Sequence, residues 1–120
     1  MYGGGVGMID IFKALSEESR LRILMLLMQD EMCVCEIEEC LKMTQSNVSR
    51  HLTTLKKCGI LEGYKRAQWV YYKISEDFKK EHNYLWLYLE EKLKESPDYE
   101  IESEKCHSCK SKNLCNIKDI

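Results

Sequence analysis

The stretch Thr44-Gln45-Ser46-Asn47-Val48-Ser49-Arg50-His51-Leu52-Thr53-Thr54-Leu55-Lys56-Lys57-Cys58-Gly59 decides how the rest of the chain is read. Thr44 suits a helix N-cap, because its hydroxyl accepts from a first-turn amide that has no partner inside the helix. From it Val48, Leu52 and Leu55 recur at i, i+4 and i+7 and form one apolar stripe. Gln45, Ser46, Asn47, Ser49, Arg50, Thr53, Lys56 and Lys57 occupy the remaining surface, and Gly59 stands where a glycine ends a helix. Past it the apolar period shortens from helical to alternating. Residues 60–64 and 69–74, rich in β-branched and aromatic side chains, predict two strands, with Lys65-Arg66-Ala67-Gln68 as a basic hairpin loop.

Toward the N-terminus, residues 34–41 predict a short helix with Ile37 and Leu41 on its buried face, and Lys42-Met43-Thr44 forms the turn into the capped helix. Ser16 as N-cap, followed by Glu17 and Glu18 at the positive end of the dipole, opens a helix through Leu21, Ile23, Leu24, Leu27 and Met28 to about Gln29. That helix is too apolar for a surface and is expected at the centre of the core. Ile9, Phe12 and Leu15 mark a helix before it. Toward the C-terminus, Ser75-Glu76-Asp77 opens a last helix with Phe78, Leu85, Trp86, Leu89 and Leu93 on its apolar face, and Pro97 ends it or follows its end. The expected fold is mainly α with a β-hairpin wing, a winged helix-turn-helix in the order α-α-α-α-β-β-α filling residues 8–96. Residues 1–7, with Gly3-Gly4-Gly5-Val6-Gly7, read as a flexible arm or an expression remnant, and 97–120 as a polar, Cys-rich tail.

At 120 residues the chain makes one domain, which argues against an enzyme with a cleft between two domains. Its longest apolar run, residues 23–28, is far short of the roughly 20 residues that span a bilayer, and residues 1–7 lack the features of a secretory signal, so a cytoplasmic protein is expected. The net charge of −2 conceals a strong segregation. Residues 42–73 carry seven basic side chains against Glu62 alone, for +6, while residues 1–41 carry −5 and 74–104 carry −6. A localised basic block is what a polyanionic partner requires. An α-helix fits the major groove of B-DNA, and its N-terminal side chains meet the base edges. Gln45, Ser46, Asn47, Ser49 and Arg50 are therefore the base-reading candidates. Lys56, Lys57, Lys65, Arg66 and Lys73 are assigned to phosphates or, at the hairpin tip, to the minor groove. His51 has no second ligand at i+3 or i+4, so it joins this surface in a phosphate or packing role. Trp69, Tyr71 and Tyr72 are read as hairpin packing.

Residues 12–24, Phe12-Lys13-Ala14-Leu15-Ser16-Glu17-Glu18-Ser19-Arg20-Leu21-Arg22-Ile23-Leu24, together with Cys33-Val34-Cys35-Glu36-Ile37, Gln45-Ser46-Asn47-Val48-Ser49-Arg50-His51-Leu52 and Tyr71-Tyr72, resemble the ArsR/SmtB family of metal-sensing repressors over about residues 8–94. The Cys-Val-Cys looks like the arsenite-sensing branch. The resemblance implies a homodimer built by the first and last helices, an imperfect palindrome in double-stranded DNA as operator, and release when a metal or metalloid binds. Two departures stand out. Where many arsenite sensors place a third cysteine, this chain has Glu38, a hard ligand unsuited to a soft metalloid. The zinc-sensing pattern on the last helix is broken, since Asp77-Phe78-Lys79 lacks its histidine and His82 stands alone.

Seven cysteines in a cytoplasmic chain point to metal or redox chemistry rather than a disulfide framework. Cys33 and Cys35, the leading ligand pair, are about 200° apart if both lie on a helix, so sharing one ion would require the first turn to unwind. Such unwinding would disturb the recognition helix behind it. Cys40 and Cys58 are read as small buried apolar residues. The tail holds Cys106, Cys109 and Cys115 in C-x2-C-x5-C spacing, with Lys105, Lys110 and Lys112 favouring thiolates. Three readings of it compete: completion of the Cys33/Cys35 site, a metal or iron–sulfur site of its own, or free thiols. The expectation is a DNA-binding repressor induced by As(III) or a similar soft thiophilic ion, with no organic cofactor. The alternative is a thiol redox sensor of the same fold. A thiol enzyme would need C-x-x-C opening a helix in a βαβ unit, and no strand precedes Cys106.

Overall fold

The computed structural model describes residues 7–112, without the side chains of 105 and 107–112. The helices are α1 (Met8–Leu15), α2 (Glu18–Leu27), α3 (Val34–Leu41), α4 (Gln45–Lys57), α5 (Glu76–Glu81), α6 (Asn83–Glu95) and α7 (Pro97–Lys112). The strands are β1 (Met32–Cys33), β2 (Leu61–Arg66) and β3 (Trp69–Ile74), in one antiparallel sheet of order β1-β3-β2. This is the winged helix-turn-helix with additions that no periodicity announces: β1, a break at His82 that divides the last helix into α5 and α6, and α7.

The capped stretch folds as its sequence dictates. Thr44 Oγ1 accepts from the Asn47 amide at 3.2 Å, and Val48, Leu52 and Leu55 are all buried. Each such side chain contributes about 1.5–3 kcal/mol of burial. Gly59, at φ +75°, leaves the helix in the left-handed region where glycine is unstrained. At the other end of the α3–α4 turn Lys42 adopts φ +55°. The core lies around α2, whose Ile23, Leu24 and Leu26 are fully buried, as its apolar composition requires. The cap of α2 differs from expectation. Glu17, not Ser16, is the N-cap, and its carboxylate accepts from the Ser19 amide at 3.1 Å.

The hairpin turn is tighter than the basic loop read from sequence. Arg66 pairs with Trp69, so Lys65 and Arg66 belong to β2 and only Ala67 and Gln68 remain in the turn. Beyond Pro97, where no apolar period exists, a helix still forms because isolated side chains anchor it. Glu102 is buried and joins Arg22 of α2, Ser103 Oγ donates to Gln29 at 3.3 Å, and Cys106 is buried with its Sγ 4.0 Å from Met32 Sδ. The C-terminal chain thus packs on α2 and α3, and Cys106 lies within a helix rather than beyond the last one. Residues 1–6 and Cys115 fall outside the described residues, and of Cys109 only the helical backbone is described.

Candidate functional site

Two groups of residues carry the chemistry, one on α4 and the hairpin and one where β1 runs into α3. On α4, Gln45, Ser46, Asn47 and Arg50 are exposed and Ser49 is half-buried. Arg50 Nη2 donates to Asn47 Oδ1 at 3.4 Å, which sets two of the candidate readers side by side. Lys56, Lys57 and Lys65 are also exposed. Lys73 is held by Glu62 at 3.3 Å. Arg66 is exposed but folded back on the wing, with its guanidinium 4.7 Å from the Tyr71 ring centre.

Of the two roles expected of His51, phosphate contact or packing, its burial fits packing and not a place on the DNA-facing surface. Only 4% of it is exposed, because it sits three residues past Val48 and turns into the body of the protein. Its Nδ1 lies 3.3 Å from Arg20 Nη1 and 3.2 Å from Glu17 Oε2. Arg20 also donates from Nε to the Ala14 carbonyl at 2.6 Å, so one guanidinium ties the end of α1 to the reading helix. No sequence pattern marked this link, since Glu17, Arg20 and His51 meet only in the fold. Burial, opposed by Glu17 and aided by Arg50 and Arg20, pulls the His51 pKa below its ordinary 6.5. The unfolded chain then takes up a proton that the folded chain refuses. The stability this group contributes is present above about pH 6.5 and is lost as pH falls from there toward the lower folded value. Thermal unfolding followed between pH 7.5 and 5 should show the wild type losing stability more steeply than His51→Gln; parallel profiles would refute the assignment.

The thiol group corrects another expectation. Cys33 is not in the helix: it is the N-cap of α3, in extended conformation (φ −86°, ψ 167°), with its amide donating to Glu36 Oε1 at 2.9 Å. Because the helix starts only after it, Cys33 and Cys35 converge, with their sulfurs 2.9 Å apart. No unwinding is needed to bring them together. Cys33 is a half-cystine, so a metal takes both sulfurs only after its reduction; metal–thiolate bonds near 2.3 Å then require the two sulfurs to part by under about 1 Å. The Cys-x-x-Glu spacing, a capping box with sulfur in place of hydroxyl, was the available signal for this start. The pair opens on a cavity of about 220 Å³ lined by Cys33, Val34, Cys35, Glu38, Gln45, Trp69 and Val70, so thiols, reading helix and hairpin share one space.

Cys40, expected as inert apolar filling, is buried in the core, but it is a half-cystine, as is Cys33. Cys58 is a half-buried free thiol whose pKa is raised, first by burial and then by Asp10. Among the described residues no three His, Cys, Asp or Glu side chains are grouped to hold a metal ion.

Fold and site together define a winged helix-turn-helix regulator with a pair of converging cysteines beside α4 and the hairpin. Residues 17–62 match the family model described as bacterial regulatory protein, arsR family. The arsenical resistance operon repressor of Escherichia coli is 41% identical over 68 residues, covering 57% of this chain and 58% of that one. The cadmium resistance transcriptional regulatory protein CadC of Listeria innocua is 42% identical over 64 residues, covering 52% and 54%. A solution structure of a homodimeric winged helix-turn-helix DNA-binding domain from Mycobacterium bovis, a possible ArsR-family regulator, superposes with TM-score 0.59 at 30% identity, covering 74% of this chain and 83% of that one. The chain belongs to the ArsR family, which is one of DNA-binding transcriptional regulators and not of enzymes. It spans about half the length of the arsenic and cadmium regulators it matches. Among the described residues no helix is long and apolar enough to cross a membrane.

Proposed function

We propose that the protein is a cytoplasmic, homodimeric repressor that binds an imperfect palindrome in operator DNA and releases it when As(III) or a similar soft ion is captured by Cys33, Cys35 and a third thiolate from Cys106, Cys109 or Cys115. The observation that carries this reading is the convergence of the Cys33 and Cys35 sulfurs on a cavity that also holds Gln45 of the reading helix. The docking of α7 supports the tail as source of the third sulfur, since Cys106 is buried against the residue that precedes Cys33. Dimerisation is supported by apolar side chains at least half exposed on α1 (Met8, Ile9, Phe12) and α6 (Tyr84, Leu87, Tyr88). Gln45, Ser46, Asn47, Ser49 and Arg50 read bases in this scheme, and Lys56, Lys57, Lys65 and Arg66 hold phosphates or the minor groove. Residues 8–96 form the reading and dimerising unit and 97–120 the sensor arm.

The test uses a duplex selected from a random-sequence pool by the purified, reduced protein. Arsenite and cadmium should weaken its binding by roughly 5- to 150-fold, the usual span of allosteric coupling, and more than zinc does. Unchanged affinity with all three ions would remove metal sensing. One observation favours a redox reading of the same site: Cys33 and Cys40 are half-cystines. In that case peroxide releases the duplex without metal, and chelators have no effect.

A further inference from the structure

The thiol site is built into the wing itself. Cys33 of β1 pairs with Tyr71 of β3, and Tyr71 pairs in turn with Tyr64 of β2, so the three residues form one row across the sheet. Side chains two apart on a strand share a face, and residues paired across strands do as well. Glu31 and Cys33, Trp69 and Tyr71, and Tyr64 and Arg66 therefore line the same side. The contacts agree with that parity. Tyr64 and Tyr71 stack with ring centres 5.9 Å apart, and Trp69 lines the cavity with Cys33 and Cys35.

Glu31 closes this row against the wing tip. Its Oε1 accepts from the Tyr64 hydroxyl, which in turn accepts from Arg66 Nη2 at 3.2 Å. Arg66 Nη2 is 4.0 Å from the same carboxylate oxygen. The residue two before the sensing thiol thus holds the ring that carries the wing-tip arginine. Gln45 enters the cavity from the reading helix, but the backbone pairing to β1 belongs to the wing.

Resting on the sensing reading above, we propose that once a thiol or phosphine reductant has opened the Cys33 disulfide, soft-ion capture at Cys33 and Cys35 acts on DNA through the wing, with Glu31 as the positioning residue that transmits it to Tyr64 and Arg66. An ion that parts the two sulfurs shifts β1, and Glu31 carries the shift to Arg66, altering its fit to the DNA backbone. This route is distinct from a displacement of the recognition helix, and it predicts that the wing can be uncoupled while the thiols still bind.

The experiment compares full-length wild type, Glu31→Ala, Glu31→Gln and Tyr64→Phe, all kept reduced by a phosphine, on the same selected duplex, with and without cadmium, after cadmium stoichiometry has been measured for each protein. Glu31→Ala and Tyr64→Phe should bind cadmium as the wild type does, yet lose release, the affinity ratio falling from at least about 5-fold to under about 2-fold. Glu31→Gln keeps an acceptor for Tyr64 and should restore most of the ratio, a rescue that a purely structural role for Glu31 does not predict. In a Trp86→Phe background the emission of Trp69 reports cadmium binding without DNA, and Tyr64→Phe should leave that response intact. If wild type and all three variants release DNA equally, the wing route is overturned and sensing stands. If the wild type binds cadmium and keeps its DNA, the sensing reading falls and takes this inference with it.

Discussion

With Cys33→Ser, DNA affinity should be the same in the presence and absence of cadmium or arsenite, so the proposed release factor of roughly 5- to 150-fold should collapse to about 1. The hydroxyl is a hard donor that stays protonated at neutral pH, whereas soft ions are held by thiolates. In the reduced protein, where the Cys33 disulfide is already open, the substitution separates chemistry from folding. Cys33 is the N-cap of α3, and serine is among the best N-cap residues, so the helix start should be kept or strengthened. Its amide still has Glu36 to donate to. Binding to the duplex without ion should therefore stay within a few-fold of wild type. Cys58→Ser is the matched control. That thiol lies by Asp10 of α1, 3.6 Å from its carbonyl, and its loss should leave release unchanged. A Cys33→Ser protein that still lets go of its operator when cadmium is added would exclude this cysteine from the sensor.

The contrast between what periodicity reveals and what it hides explains why the two sites were not equally foreseeable. The reading helix has an apolar stripe, a capping threonine and a terminal glycine, three local signals that agree, and the fold follows each of them. The thiol pair was visible as a motif, but its geometry was not. Assigning Cys33 to the helix made the sulfurs diverge, while a two-residue strand too short to show alternation had already taken it out. The partners of His51 were hidden for a similar reason. It looks polar and exposed in a basic block, and only Glu17 and Arg20, arriving from α2, show why it is buried. In α7 the anchors are Tyr99, Glu102 and Cys106, two of them polar or sulfur-bearing, and no hydrophobic period could reveal a helix that packs through them.

The Glu102 anchor sets the largest expected effect on stability. Arg22→Ala should destabilise the protein by about 3 kcal/mol, near the lower end for breaking a buried ion pair, because a quarter of Arg22 still meets water. Its Nε and Nη2 both lie 3.1 Å from Glu102 Oε1, and the Glu102 side chain is only 3% exposed. Removing the guanidinium leaves a desolvated carboxylate between α2 and α7 without this cation. Glu102→Gln should cost far less, since the amide oxygen still accepts from Arg22 and the arginine left behind reaches solvent. The expected order of melting temperatures is wild type, Glu102→Gln, then Arg22→Ala, with the last lower by on the order of ten degrees. The protein has one way to soften the penalty, which is to undock α7 and carry Glu102 into water. Amide exchange would show this as lost protection confined to α7, and the burial of Cys106 beside Met32 would be lost with it. Arg22→Ala would then weaken ion-driven release as well as stability if the tail supplies the third thiolate. Replacing both partners, as Arg22→Met with Glu102→Met, should recover most of the lost stability, because the desolvation of charge disappears with the pair. Equal melting temperatures for Arg22→Ala and Glu102→Gln would show that the pair does not fasten α7 to the core.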